Sequence, residues 1–343
     1  MRSPRPALAR VVGVVGGAFA ALGVFAEPVA AHGPPPVDPP TPASLALDWT
    51  FEPSVAIPIA LLAIGWVVMV DRIDRHHPGS PVPLKRTVFF MAGLASIAIA
   101  LMSGIARYDT ALFSIHMVQH LLLMLVAAPL LALSAPVTQV LRVASPRVRR
   151  RVLLPILDSA VVKALGHPVV AWLSFTLVLY LSHFSPLFEA ALEDPFIHDL
   201  EHVLFLAAAL LFWWPIVALD PAPRRLSHPA RIGYVLVQMP PSSFLAMVVL
   251  FANSALYSHY AALGSIYGID PLADQQLAAG IMWFVSDAIL IGTIMLLVAG
   301  WMRHEERDQV AADRRTAAAK AAIDERAERL ARRTGRGPVG PYG

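Results

Sequence analysis

The chain contains no cysteine. Disulfides and every thiolate metal or redox site are therefore excluded, and any bound metal must rely on histidine, methionine, carboxylate or backbone oxygen. Charge is also scarce. Only 15% of the 343 residues are charged while 57% are hydrophobic, and the mean hydropathy is +0.60. A soluble domain carries about 25% charged residues. The apolar runs lack the alternating polarity of barrel strands, which leaves helices as the way to satisfy the backbone in lipid. There is no nucleophile–base signature, phosphate loop or dinucleotide fingerprint, so no turnover enzyme is expected. No nucleic-acid partner is expected either.

What is present is an all-α integral membrane pattern. Arg2, Arg5 and Arg10 precede an apolar stretch at 11–26 and a small-residue end, "PVAAH", so residues 1–31 read as a cleaved leader. Residues 32–50 form a Pro-rich linker on the outer side. Seven spans are expected near 51–70, 87–106, 113–134, 167–185, 198–219, 231–256 and 277–301, making a membrane domain over 51–301. The stretch 302–343 turns abruptly to Ala, Arg and Glu and reads as a charged, partly helical cytoplasmic tail. Basic residues crowd alternate connections: Arg72, Arg75, Lys85 and Arg86 in one, Arg142 to Lys163 in the next, Arg224 and Arg225 in the third. The other connections are nearly bare of them. The basic side is cytoplasmic, which puts the mature N-terminus outside and the C-terminus inside.

The twelve histidines are not scattered. On this topology His116, His120, His183, His198, His202 and His259 all fall at the outer ends of the third to sixth spans. His116 and His120 are four apart, as are His198 and His202, so each pair shares one helix face about 6 Å along the axis. Two such pairs facing each other would surround a metal ion. Asp199 and Glu201 are candidates for orienting a ring from behind. The plainer alternative, that histidine at a membrane interface has no task, remains open.

Imidazole suits zinc, copper, iron and nickel alike. Met117, Met124, Met239, Met247 and Met282 pull toward Cu(I), although methionine is also ordinary core filler. Haem is a competing occupant, but two histidines one turn apart on one helix suit a compact ion better. Asp287 lies near mid-span and is a functional candidate by position. "QMPPSSF" at 238–244 predicts a kink in the sixth span. Cleavage after Ala31 would leave His32 as an N-terminal copper chelate. Three function classes follow: a copper-binding membrane protein, a copper or zinc transporter, and a haem-binding membrane protein.

The stretches "HMVQHLLLMLVAAPLLALSAP" (116–136), "HDLEHVLFLAAALLFWWPI" (198–216), "LYSHYAALG" (256–264) and "DQQLAAGIMW" (274–283) resemble the multi-span CtaG family of cytochrome c oxidase assembly factors. The likeness covers roughly 50–300. It implies a multi-pass protein of the bacterial plasma membrane that helps mature a haem–copper oxidase by handling copper for its Cu-B centre. The implied partners are the oxidase subunit carrying that centre and a copper donor on the periplasmic side. Carried over residue by residue, the matching positions are His116, His120, His198 and His202, with Tyr257, Tyr260 and Asp274 of the later motifs. A thiolate-using chaperone that shares the family's name is excluded by the missing cysteines.

Overall fold

The computed structural model describes residues 36–334, with side chains through Arg329. The leader and His32 lie outside the described residues. Every regular element among the described residues is a helix. Six helices are long and apolar enough to cross a membrane, by length and composition. A shorter one, Pro168–Phe184, is bent by 68° from Leu187–Glu193, and the two together make a seventh candidate span.

The chain begins with a short helix, α1 (Pro42–Leu47), inside the expected linker. Thr41 starts it with a reciprocal capping box to Ser44. Helices α2 (Pro53–His76) and α3 (Leu84–Met102) then pack as a pair. Trp66 stacks on Phe90 at 4.1 Å between ring centres, and its indole N–H donates to the Thr87 hydroxyl at 3.2 Å. Ile59, Val70 and Leu94 complete this core. Ser103 breaks the helix, and α4 (Gly104–Tyr108) follows.

The third span is not a uniform α-helix. It runs as α5 (Phe113–Leu121), a π-helical stretch at Leu122–Ala127, and α6 (Ala128–Ser134). Pro129 lacks an N–H and cannot continue the ordinary ladder. In the wider turns carbonyls are freed, and in lipid they need partners. Ser96 donates to the Leu122 carbonyl at 3.1 Å and the Trp213 indole to the Met124 carbonyl at 2.9 Å. Both donors come from neighbouring helices. The π stretch begins two residues after His120, so the change of register sits directly beneath the histidine pair.

Residues 136–165 fold into short helical pieces, the first of them α7 (Pro136–Val143). Asp220 anchors its start, accepting from the backbone N–H of Val137 and Thr138. Then come α8 (Pro168–Phe184), α9 (Leu187–Glu193), α10 (Pro195–Val217) and α11 (His228–Leu250). Pro240 and Pro241 lie inside α11, which stays helical through both. The Tyr180 hydroxyl donates to the Pro241 carbonyl at 2.9 Å. After α12 (Ser258–Leu263), one long helix, α13, runs Pro271–Thr334.

The chain divides into two compact units at 291/292. The first contains α1 to α12, the start of α13 as far as Ile291, and every residue of the site described below. The second is helical through Thr334, and its residues from Met302 to Arg329 are almost entirely exposed, as an Ala/Arg/Glu-rich composition requires.

Candidate metal centre

Two helix starts set the positions of the histidines. Pro195 opens α10, and Asp194 caps it by accepting from the N–H of Phe196 at 2.8 Å and of Ile197 at 3.4 Å. His198, Glu201 and His202 therefore occupy the first two turns, on one face by their spacing of three and four. The N-cap of α5 is Leu112, which offers no side-chain oxygen. Asp274, from α13, supplies it: its carboxylate accepts from Ser114 N–H at 3.3 Å and from the Ser114 hydroxyl at 2.5 Å. Asp274 thus holds the front of the helix that carries His116 and His120.

With both starts fixed, α5 and α10 bring four side chains together. His116, His120, His198 and Glu201 each offer one donor atom, and all of these atoms lie within 4.8 Å of one another. The Nε2 atoms of His116 and His120 are 3.9 and 3.8 Å from the same Glu201 oxygen, Oε2. All four residues are at most 2% exposed. Two ligands bonded at about 2 Å to one ion are at most about 4 Å apart. The two histidine–carboxylate distances meet that condition as they stand.

Hydrogen bonding singles out the same atoms. Neither ring nitrogen of His120 and neither oxygen of Glu201 has a hydrogen-bond partner. By distance and angle the same holds for both ring nitrogens of His116. Leaving a buried polar atom unsatisfied costs about 1–3 kcal/mol, and more for a charged one. A carboxylate in such a place needs a cation beside it. These orphaned donors fit a metal ion.

A second layer holds the group in shape. His202 is one turn further along α10 and bonds Gln119 instead, Nε2 to Oε1 at 3.0 Å. Gln119 in turn donates to the Ala100 carbonyl at 3.1 Å and to Asp109 Oδ2 at 2.8 Å. Glu201, expected behind the rings, is in the group of four, and His202, expected in the group, is behind it. The physical reason is the span between the helices: Gln119 on α5 reaches across and takes the His202 ring. Burial pushes the Asp109 carboxyl up to about 8, with the Gln119 bond pulling partly the other way. Phe188 and Phe205 wall the group, at 5.0 Å from His116 and 4.3 Å from His120 between ring centres.

The remaining candidates are placed as follows. His183 is buried and its Nδ1 contacts the Leu179 carbonyl of its own helix at 2.8 Å. His259 Nε2 meets the Thr110 carbonyl at 2.9 Å, while the Glu189 carboxylate accepts from the backbone N–H of Ser258 and His259. Neither is in the group of four. Tyr260 donates to the Asp109 carbonyl at 2.7 Å and Tyr257 to the His183 carbonyl at 3.4 Å. Burial first, and neighbouring carboxylates second, push both phenols up, which keeps them donors. Met117 and Met124 are buried next to the site, and Asp199 is exposed at its edge, near Gln119 and His202. Asp287 accepts from Ser243 and from the Trp283 indole. Gln119, Asp109, Phe188 and Phe205 were not legible as site residues beforehand. Of these only Gln119 carried a signal, since it sits between the two histidines of "HMVQH".

The family model described as cytochrome c oxidase caa3 assembly factor (Caa3_CtaG) matches residues 64–304. Among curated proteins, the chain is 32% identical over 276 residues to uncharacterized protein Mb0105 of Mycobacterium bovis and to uncharacterized protein MT0111 of Mycobacterium tuberculosis. It is 31% identical over 275 residues to uncharacterized protein ML1998 of Mycobacterium leprae. Each alignment covers 78% of this chain but only 41–42% of the relative, so the chain spans about two fifths of the length of the curated relatives it matches. No solved structure matches. The matched region contains every residue of the candidate centre, and this multi-helix membrane chain belongs to the cytochrome c oxidase caa3 assembly factor (Caa3_CtaG) family.

Proposed function

We propose that this protein binds copper as cargo between α5 and α10 and passes it to the cytochrome c oxidase subunit that carries the Cu-B site. The bound ion would be held by His116, His120, His198 and Glu201. One observation carries the reading: four metal-ligating side chains from two membrane helices converge in a fully buried place, and most of their donor atoms have no hydrogen bond. Family membership supports the oxidase as the destination. The loop-charge pattern supports a site near the outer face of the bacterial plasma membrane, where a periplasmic donor would load it.

The protein's own contribution is coordination and shielding. Gln119 and Asp274 fix the ligand-bearing helices, and Phe188 and Phe205 keep water from the ion. A copper held at this depth moves sideways to a membrane-embedded acceptor without being released as a free ion.

Two observations bear on the alternatives. The cavity that His120 borders beside the centre is small, about 30 Å³, whereas pockets for drug-sized and cofactor ligands run to roughly 300–1,000 Å³, so it offers a haem no room next to the four ligands. Asp287, the mid-span carboxylate that would encourage a transport path, is already engaged by Ser243 and Trp283. Three imidazoles and a carboxylate are also a good zinc set, so zinc is the second reading for the cargo. The test is metal content. Purified with copper and zinc supplied together, the wild type should retain at least one copper per chain. His116→Ala/His120→Ala should retain about one copper per chain less. Equal copper in both, or zinc in place of copper, overturns the proposal.

A further inference from the structure

Next to the four-residue group is the small cavity of about 30 Å³, room for roughly one water. Its lining includes three methionines, Met117, Met124 and Met282, together with His120 and His183. Met117 and Met124 are seven residues apart, two turns along one face of the third span, and Met282 comes from α13. All three are buried. Methionine is common packing material, but packing alone does not explain the histidine among them. The Nδ1 of His183 lies 2.8 Å from the Leu179 carbonyl and 3.0 Å from the Ser182 hydroxyl; a carbonyl can only accept, so Nδ1 carries the proton and the Nε2 lone pair is available. That Nε2 is buried and has no hydrogen-bond partner. A buried, unpartnered imidazole nitrogen on a cavity rimmed by thioethers has the donor chemistry of a soft monovalent metal site.

We propose that this cavity is a second copper station, specific for Cu(I), with His183 Nε2 and the thioethers of Met117, Met124 and Met282 as its donors. The proposal rests on the copper reading of the four-residue group. His120 belongs to both places, being one of the four ligands and part of the cavity wall. An ion therefore exchanges one set of ligands for the other by way of a single shared ring. The two stations differ in kind. The first is nitrogen and oxygen, open to Zn(II) and Cu(II) as well as Cu(I). The second is mainly sulfur, which selects Cu(I) and rejects zinc.

The experiment is copper-edge X-ray absorption, with metal counting, on the full chain in lipid nanodiscs loaded anaerobically with excess Cu(I). Three proteins are compared: wild type, Met117→Leu/Met124→Leu/Met282→Leu, and His198→Ala. Leucine nearly conserves methionine's volume, so the triple variant keeps its fold, and retained nitrogen-bound copper verifies it. The expected result is sulfur scattering in the wild type, loss of sulfur scattering and a halved copper count in the triple variant, and retained sulfur-bound copper in His198→Ala. Copper bound only by nitrogen and oxygen in the wild type, with the same count in the triple variant, overturns the second station and leaves the first standing. No copper in any of the three overturns both.

Discussion

At the residue scale, Glu201 decides the character of the centre. It is the only acidic member of the group of four and the atom set against which both α5 histidines are measured. Glu201→Gln keeps its shape and removes its charge, so copper affinity should fall at least tenfold while the elution profile of the purified protein stays unchanged; competition with a Cu(I) chelator measures it. Gln119 acts through His202 and the helix backbone rather than on the ion. Gln119→Leu should therefore weaken copper by about 10–100-fold, the usual effect of losing an outer partner, and the ligand atoms seen by X-ray absorption should be unchanged. Asp109 predicts a pH effect. Burial raises its folded pKa from 3.8 to about 8, so between those values the folded protein holds a proton that the unfolded chain has released. Stability then falls as pH rises from about 4 to about 8 and levels off above. Melting temperatures at pH 6 and pH 9 should differ in that sense, and Asp109→Asn should flatten the difference. The i,i+4 spacing made both histidine pairs visible in the sequence. Spacing on one helix does not reveal reach across two, however, which is why Glu201 and His202 exchanged expected places and why Phe188, far from either motif, gave no sign.

At the element scale, the apolar runs marked the starts of the long helices to within about six residues, because a lipid-crossing run is set by length and hydropathy, but the last helix runs on to Thr334, well past the expected end at 301. Interruptions within them were less legible. The π stretch at Leu122–Ala127 depends on donors from other helices, Ser96 and Trp213, which nothing local announces. Pro129, mid-run, was the available hint. The expected kink at Pro240 and Pro241 took the form of a helix continuous through both, with Tyr180 taking a carbonyl. The expected fourth span, 167–185, is a short helix bent by 68° from Leu187–Glu193, since Ser185 and Pro186 stop α8 early. Close approach gives a sharper prediction. A Cβ on Gly104 would run into the Ser44 carbonyl oxygen and lie 2.7 Å from the Leu45 Cα, both backbone and unable to swing aside. Gly104→Ala should displace α1 and destabilise the protein by about 1–3 kcal/mol, read as a lower melting temperature with copper content retained.

At the scale of the whole molecule, the chemistry is confined to the first unit. The second, from Gly292 onward, is a helix whose residues past Met302 face solvent and carry no member of the centre. Truncation after Arg303 should leave copper content unchanged, as metal analysis of the purified protein would show. Composition announced both parts, the apolar bundle and the charged tail, because each is dictated by its solvent. Anomalous diffraction from crystals of the copper-loaded protein, recorded on both sides of the copper edge, locates the ion. A copper peak is expected between α5 and α10, about 2 Å from nitrogens of His116, His120 and His198 and from a carboxylate oxygen of Glu201. A fully loaded crystal with copper elsewhere and none among these four side chains would rule out the site.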